Sequence, residues 1–541
     1  MTPASLILAA VLVPAAMALI LPLFAARPNL REGVTVAGSL LLFAAILSLL
    51  PTVLAGGRPA LPIVEVVPGL EIAFAVEPLG LLFALVASGL WIVNSVYSIG
   101  YLRAERAHRQ TLFYVCFAVA IAATMGLALS ANLFTLFLFY EALTLSTYPL
   151  VTHRASAQAM RAGRLYLLML VGASTLLLLP AIGWTGAAAG TLDFTPGGIL
   201  AGRLGPVLLA VLLALYVFGL AKAAMMPMHF WLPAAMVAPT PVSALLHAVA
   251  VVKAGVFSIL KVVVYIFGTE TLAATHAADW LVYVAGFTIV VASGVALRQD
   301  NLKRRLAYST VSQLSYVVLG AALLAPLAVL GAALHIAAHA VSKITLFFAA
   351  GSFHAGSHVD RVSAMDGIAR RQPWTMAAFT VAALSMIGVP PTAGFLGKWF
   401  ILAGAVAAGQ WFAVAVIVVS TLLNAGYFLP IVYRAYARPA GEAVDPPAAA
   451  DPRRADAGAG PVAGGAGGAP PPAAVDPPEH EGRLGRTPAA AGGATGETGR
   501  AAPHEAPWPM VASLLVTALA TLLLFVFPDV PYRLAAMLAG G

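Results

Sequence analysis

KAAMMPMHFWLPAAMVAPTPVSALLHAVAVVKAG, residues 222–255, is apolar enough to lie in a membrane, yet it carries Lys222, His247 and Lys253. Pro227 follows Lys222 by five residues. A proline inside a helix removes a backbone hydrogen bond and breaks or kinks the helix. Broken helices in a bilayer leave backbone polar groups bare, which is tolerated where they line a polar cavity. Buried ammonium groups are costly for the same reason, so lysines in such a place mark a site that handles charge. The stretch predicts an interrupted membrane helix followed by a second span, both with ionisable groups.

The rest of the chain has the same character. Of 541 residues, 61% are hydrophobic and 10% charged, with a mean hydropathy of +0.91. Soluble domains carry about 25% charged residues. The composition predicts an all-α polytopic membrane protein. A net charge of +8 and a pI near 9.6 do not argue for nucleic acid, because the basic residues lie in short loops between apolar spans. The single cysteine, Cys116, excludes an internal disulfide or a cysteine-ligated cluster, so no redox centre of the chain's own and no other cofactor is expected.

A span needs about 20 apolar residues. About fourteen are expected, at 4–26, 34–56, 77–100, 111–130, 132–152, 163–186, 206–235, 241–267, 278–297, 304–325, 328–353, 374–403, 408–434 and 507–528. The first is read as a helix rather than a cleaved signal, since it lacks a basic n-region. Residues 59–74 are too short and broken to span and suggest an extended hairpin outside the membrane. Residues 439–506, rich in Ala, Gly and Pro, read as a disordered linker. Alternate loops are basic, which places them in the cytoplasm of a bacterial-type plasma (inner) membrane, with both termini outside.

Only six of the 30 basic side chains are lysines, and all except Lys303 fall within apolar stretches. Lysine can lose its proton on desolvation, whereas arginine cannot usefully do so. Lys398, near Gly388, Pro390, Pro391 and Gly394, repeats the interrupted-helix theme of Lys222 in the second half of the chain. Such paired interruptions point to a transporter built from inverted repeats. Lys398 lies nearer a helix end and snorkels more easily. Glu141 is the one carboxylate expected deep in a span, either modulating a neighbouring lysine or locking two helices. His247 and Lys253 are about 240° apart around a helix and do not share one face. Lys261, two turns further on, has snorkelling as an equal reading. His335, His339 and Lys343, spaced i, i+4, i+8, stack on one stripe and suit a proton wire. Two histidines at that spacing could also hold zinc, but no third ligand or HExxH pattern accompanies them, and no metal is expected. Ser309, Thr310, Ser312, Gln313 and Ser315 would carry water between charged sites or glue helices together.

The opening stretch, together with RRLAYSTVSQLSYV (304–317), HIAAHAVSKITLFFAAGS (335–352) and MIGVPPTAGFLGKW (386–399), resembles the proton-conducting membrane subunits shared by Mrp cation/proton antiporters, complex I and membrane-bound hydrogenases. The resemblance runs from about Glu77 to Tyr433. It implies two inverted five-helix repeats, at 111–267 and 278–434, with broken helices 7 and 12. An N-terminal three-helix segment (1–100), the linker (439–506) and a C-terminal helix (507–528) complete the division. By position it implies a proton relay of Glu141, Lys222, His247, Lys253, His335, His339, Lys343 and Lys398. The length suggests an Mrp D-type subunit. The function implied is proton translocation in a multi-subunit sodium/proton antiporter, or alternatively in a complex I-like oxidoreductase or a hydrogenase. Partnership with another solute such as inorganic carbon, and a purely structural scaffold, are the other readings. Partners would be the other membrane subunits and the lipid bilayer.

Overall fold

A computed structural model describes residues 2–67, 69–439 and 505–539. The expected linker at 439–506 concerns residues 440–504, which lie outside the described residues. The protein is an all-helical, multi-pass membrane protein. Eleven helices among the described residues are long and apolar enough to cross a membrane. In chain order the helices that form the bundle are α1 (Pro3–Phe24), α2 (Pro28–Leu54), α3 (Pro78–Ala104), α4 (Gln110–Ala128), α5 (Leu133–Val151), α6 (Ala157–Ala189), α7 (Pro206–Gly219), α8 (Thr240–Phe267) and α9 (Asp279–Leu297). They continue with α10 (Leu302–Ala322), α11 (Pro326–Ser357), α12 (Pro373–Ile387), α13 (Ala393–Ala407), α14 (Trp411–Ala437) and α15 (Trp508–Val526). A short final helix, α16 (Asp529–Ala539), follows and was not foreseen.

The helix starts follow local chemistry. Asn132, Ser156 and Asn301 cap α5, α6 and α10, each accepting a backbone N–H three residues on. Prolines open α7, α11 and α12, where a missing N–H costs nothing. Three of the fourteen expected spans are not simple long apolar helices. The span at 206–235 ends as a regular helix at Gly219, passes through a turn at Ala221–Ala223 and resumes as a short helix at Trp231–Ala234. The span at 374–403 divides into α12 and α13 around Gly388, whose φ of +95° favours glycine. Helix α10 is continuous, but Lys303, Arg304, Arg305 and its row of hydroxyls make it polar for a span.

Burial places α8 and α11 at the centre. The most apolar window of α8 is wholly buried and that of α11 is 89% buried, against 39% for α1, α2, α6, α14 and α15. The outer helices thus present apolar faces to surroundings outside the chain. The expected hairpin forms, pairing Ala60–Val67 with Leu70–Ala75 in antiparallel register. It is tied to the α4–α5 turn: Asn132 Nδ2 donates to Glu71 O at 2.9 Å, and the Ala73 N–H donates to Thr135 Oγ1 at 3.0 Å. Arg31, expected in a loop, is instead buried in α2, donating to Gln110 Oε1 and Thr111 Oγ1 at 2.9 Å each.

Close approach of helices depends on missing side chains at two positions. A methyl group on Gly255 would fall 2.7 Å from Ala223 Cα, so glycine lets α8 press against the break after α7. A methyl group on Gly397 would fall 2.9 Å from His335 Cα, so α13 lies directly on α11. The two interruptions are thereby held against the two central helices.

Candidate functional site

Lys222 lies in the Ala221–Ala223 turn, fully buried. Its Nζ donates to Tyr140 O at 2.8 Å and Thr144 Oγ1 at 2.6 Å, and lies 3.1 Å from the Tyr140 ring centre. The Trp231 indole donates to Ala221 O at 3.1 Å, satisfying a carbonyl that the helix break sets free. Glu141 follows Tyr140 on α5, yet no oxygen of Glu141 comes within ion-pair distance of Lys222 among the described residues. Its side chain is partly exposed on the bundle surface, with Oε1 buried and unpartnered among the described residues. The ammonium is therefore held by a carbonyl, a hydroxyl and an aromatic face, and any influence of Glu141 acts through space.

The other ionisable groups converge on α8, α10, α11 and the α12–α13 break. Lys253 Nζ makes a short hydrogen bond with His339 Nδ1. The His339 and His335 rings stack with centres 6.0 Å apart. His335 Nε2 contacts Gln313 Oε1 at 3.0 Å, and Gln313 Nε2 donates to Met386 O at 3.3 Å. Lys398 Nζ donates to the same carbonyl at 2.8 Å and to Ile387 O at 3.0 Å. Lys343 Nζ donates to Ser309 Oγ at 2.5 Å, and His247 Nδ1 meets Thr310 Oγ1 at 3.1 Å. Lys253, His339, His335, Gln313 and Lys398 thus form one row across the bundle, with Lys343 of α11 and His247 of α8 beside it, each held by a hydroxyl of α10.

The structure decides several readings that the sequence left open. Lys398 does not snorkel. It is 6% exposed, because the carbonyls ending α12 point into the break and a cation is favoured at a helix C-terminus. Lys261 does not snorkel either. It is fully buried and forms an ion pair with Glu77, with Oε1 at 2.9 Å. It also donates to Ser130 O at 2.8 Å and faces the Phe194 ring at 4.2 Å. Two further carboxylates are buried at helix starts, Glu77 at the start of α3 and Glu32 near the start of α2. His247 lies in a widened π-helical turn, Leu245–Val249, so the regular 100° step does not describe its bearing on Lys253.

Sequence reasoning missed Tyr140 and Thr144, which bind Lys222. They lie one residue before and three after Glu141, where helical spacing brings i and i+4 onto one face. It left Ser309, Thr310 and Gln313 open, and each proves to be the partner of a single lysine or histidine.

The family described as NADH:quinone oxidoreductase/Mrp antiporter, transmembrane part, matches residues 130–424. The chain belongs to this family. Among its relatives, NADH-quinone oxidoreductase subunit N of Desulforudis audaxviator is 37% identical over 375 residues, covering 68% of this chain and 74% of that protein. Hydrogenase-4 component B of Escherichia coli is 32% identical over 346 residues, covering 61% of this chain and half of that protein. In fold, the chain is similar to one in the Mrp complex of Dietzia sp., with a TM-score of 0.77 at 22% identity, covering 100% of this chain and 97% of the other. Family and fold therefore agree on an antiporter-like, proton-translocating type of membrane subunit.

Proposed function

We propose that this chain is the proton-translocating membrane subunit of a multi-subunit monovalent cation (sodium)/proton antiporter, of the D type in an Mrp-like assembly. The observation that carries the reading is the row Lys253, His339, His335, Gln313 and Lys398, buried at the centre of the bundle, with a ring-to-ring step of 6.0 Å between the histidines and Met386 O shared by Gln313 and Lys398. Histidine both accepts and donates protons near neutral pH, and lysine yields its proton when desolvated. The second ring nitrogens, His339 Nε2 and His335 Nδ1, are buried without a partner among the described residues. A bridging water is the usual partner of such an atom and would carry a proton between the rings.

The two interruptions, at Lys222 and Lys398, support inverted repeats at 111–267 and 278–434 with broken helices 7 and 12. In this reading Lys222, with Glu141 at a distance, would stand at one end of the path and Lys398 at the other. The row is built of nitrogen donors, whereas sodium takes oxygen ligands, so cation binding would fall partly to other subunits. The basic loops would face the cytoplasm of a bacterial inner membrane.

A second reading is favoured by the 37% identity to subunit N: the same path would then serve the proton-pumping arm of a complex I-like oxidoreductase or a hydrogenase. The deciding measurement is gradient-driven transport in vesicles carrying the whole assembly, wild type against Lys253→Ala, with assembly checked by size. Loss of transport in an intact complex is expected. Undiminished transport would make the row structural.

A further inference from the structure

The relay needs a connection to water, and one end of the bundle carries a cluster of titratable groups that the row does not use. A cavity of 780 Å³, open to the exterior, is lined by Tyr101, Glu105, His153, Pro239 and His354, among others. His354 lies eleven residues beyond Lys343 on α11. At 100° per residue the two side chains differ by about 20° in bearing, so His354 continues the stripe of His335, His339 and Lys343. Its Nδ1 is 3.0 Å from Asp360 Oδ2 and its Nε2 is 3.6 Å from Glu105 Oε1. The imidazole and Glu105 are each 26% exposed, so the cluster is wetted but not free in solution. The His358 ring lies 5.9 Å away, and Arg154 lines the same cavity. Lys303 of α10 donates to Ala238 O at 2.6 Å, the carbonyl next to the cavity residue Pro239.

A hydroxyl stands between this cluster and Lys343. Tyr97 of α3 is fully buried, stacks on Phe348 with ring centres 3.9 Å apart, and donates its hydroxyl to Phe348 O at 2.8 Å. Along α11, Phe348 is about 9 Å from His354 and about 7.5 Å from Lys343 at 1.5 Å per residue. The hydroxyl therefore lies between the two in depth along α11, on a bearing about 140° around the helix from Lys343. Ser352 Oγ, one turn from Phe348, is buried without a partner among the described residues. Gly351 keeps this place open: a methyl group there would fall 2.7 Å from Thr240 Cγ2 and would collide with the Tyr97 hydroxyl.

We infer that His354, held between Glu105 and Asp360 in this cavity, is the group through which the relay exchanges protons with the aqueous phase at this end, with the Tyr97 hydroxyl as the intermediate station toward Lys343. The inference rests on the proton-relay reading proposed above. A carboxylate at the mouth takes a proton from water and passes it to the imidazole. The imidazolium releases it inward along Ser352 and Tyr97, and each transfer moves one proton and leaves the covalent framework unchanged. Arg154 and Lys303 oppose a second positive charge, so the cluster holds one proton at a time rather than storing several.

The test is proton flux in vesicles carrying the whole assembly, comparing wild type, His354→Gln, Tyr97→Phe and Lys253→Ala, each checked for assembly. His354→Gln should slow flux several-fold at about pH 8, where free protons are scarce, and less at about pH 6, below the ordinary histidine value. Added imidazole should restore it, because a small soluble base replaces the lost donor. Tyr97→Phe keeps the ring on Phe348 and should slow flux at both values. Wild-type flux in His354→Gln at the higher pH, with Lys253→Ala inactive, would overturn this inference and leave the relay standing. A slow His354→Gln that imidazole does not restore would assign His354 a structural role and also overturn it. Normal flux in Lys253→Ala would instead remove the relay itself.

Discussion

The Glu77–Lys261 pair allows a sharp test of how charge is tolerated in this bundle. Its partners lie 2.9 Å apart, with side chains 8% and 0% exposed. Removing one member of such a pair leaves an uncompensated buried charge and costs about 3–5 kcal/mol. Replacing both by apolar groups of similar size is often neutral or stabilising by about 1–4 kcal/mol. Glu77→Leu and Lys261→Met should therefore each destabilise the purified chain by about 3–5 kcal/mol in detergent unfolding, while the double substitution stays near wild type. The resulting coupling would exceed the roughly 0.5–3 kcal/mol usual for contacting residues. Lys261 also holds Ser130 O, which adjoins the hairpin through the Phe74–Ser130 bridge, so Lys261→Met alone should loosen the hairpin toward protease. Single costs at or below about 1 kcal/mol, the level of exposed ion pairs, would refute the reasoning. So would a double variant that loses the sum of the two singles.

Two further outcomes are expected. Gln313→Leu removes the amide between His335 Nε2 and Met386 O; it should slow gradient-driven transport in an intact assembly, and a wild-type rate would exclude Gln313 from the path. At the bundle end, Arg434 grips Asp366 at 2.7 and 3.0 Å, and these hydrogen bonds hold the Asp366 carboxyl below the usual carboxylate range. A lowered folded-state value gives stability that is present above the ordinary aspartate value and is lost as pH falls through the folded one. Asp366→Asn should therefore destabilise the chain modestly at neutral pH and not at strongly acidic pH, as read by unfolding at the two conditions; an equal effect at both would show that the charge is not responsible.

Much of this architecture is dictated by composition and spacing. Apolar runs of about 20 residues separated by short arginine-bearing loops can be satisfied only by membrane helices, since a helix is what pairs every backbone group within lipid. Pro227, and Gly388 with Pro390 and Pro391, announce the two breaks because no side-chain context restores a missing N–H or excludes a left-handed residue. The i, i+4, i+8 spacing of His335, His339 and Lys343 fixes their common stripe before any neighbour is known. Partnership is a different matter. Lys261 and Lys398 look free to snorkel along their own helices, but Glu77 lies at the start of α3 and Met386 O in the break, and only packing brings them within 3 Å. The hydroxyls of α10 give the same lesson: a polar helix in a sequence is ambiguous between glue and path, whereas Ser309, Thr310 and Gln313 each meeting one ionisable group is a fact of tertiary contact. Covalent order determines which elements form and which faces carry charge, because those depend on residues a few positions apart. Which charges meet depends on groups far apart in the chain, 184 positions for Lys261 and Glu77, and that was decided only when α8 packed against α3.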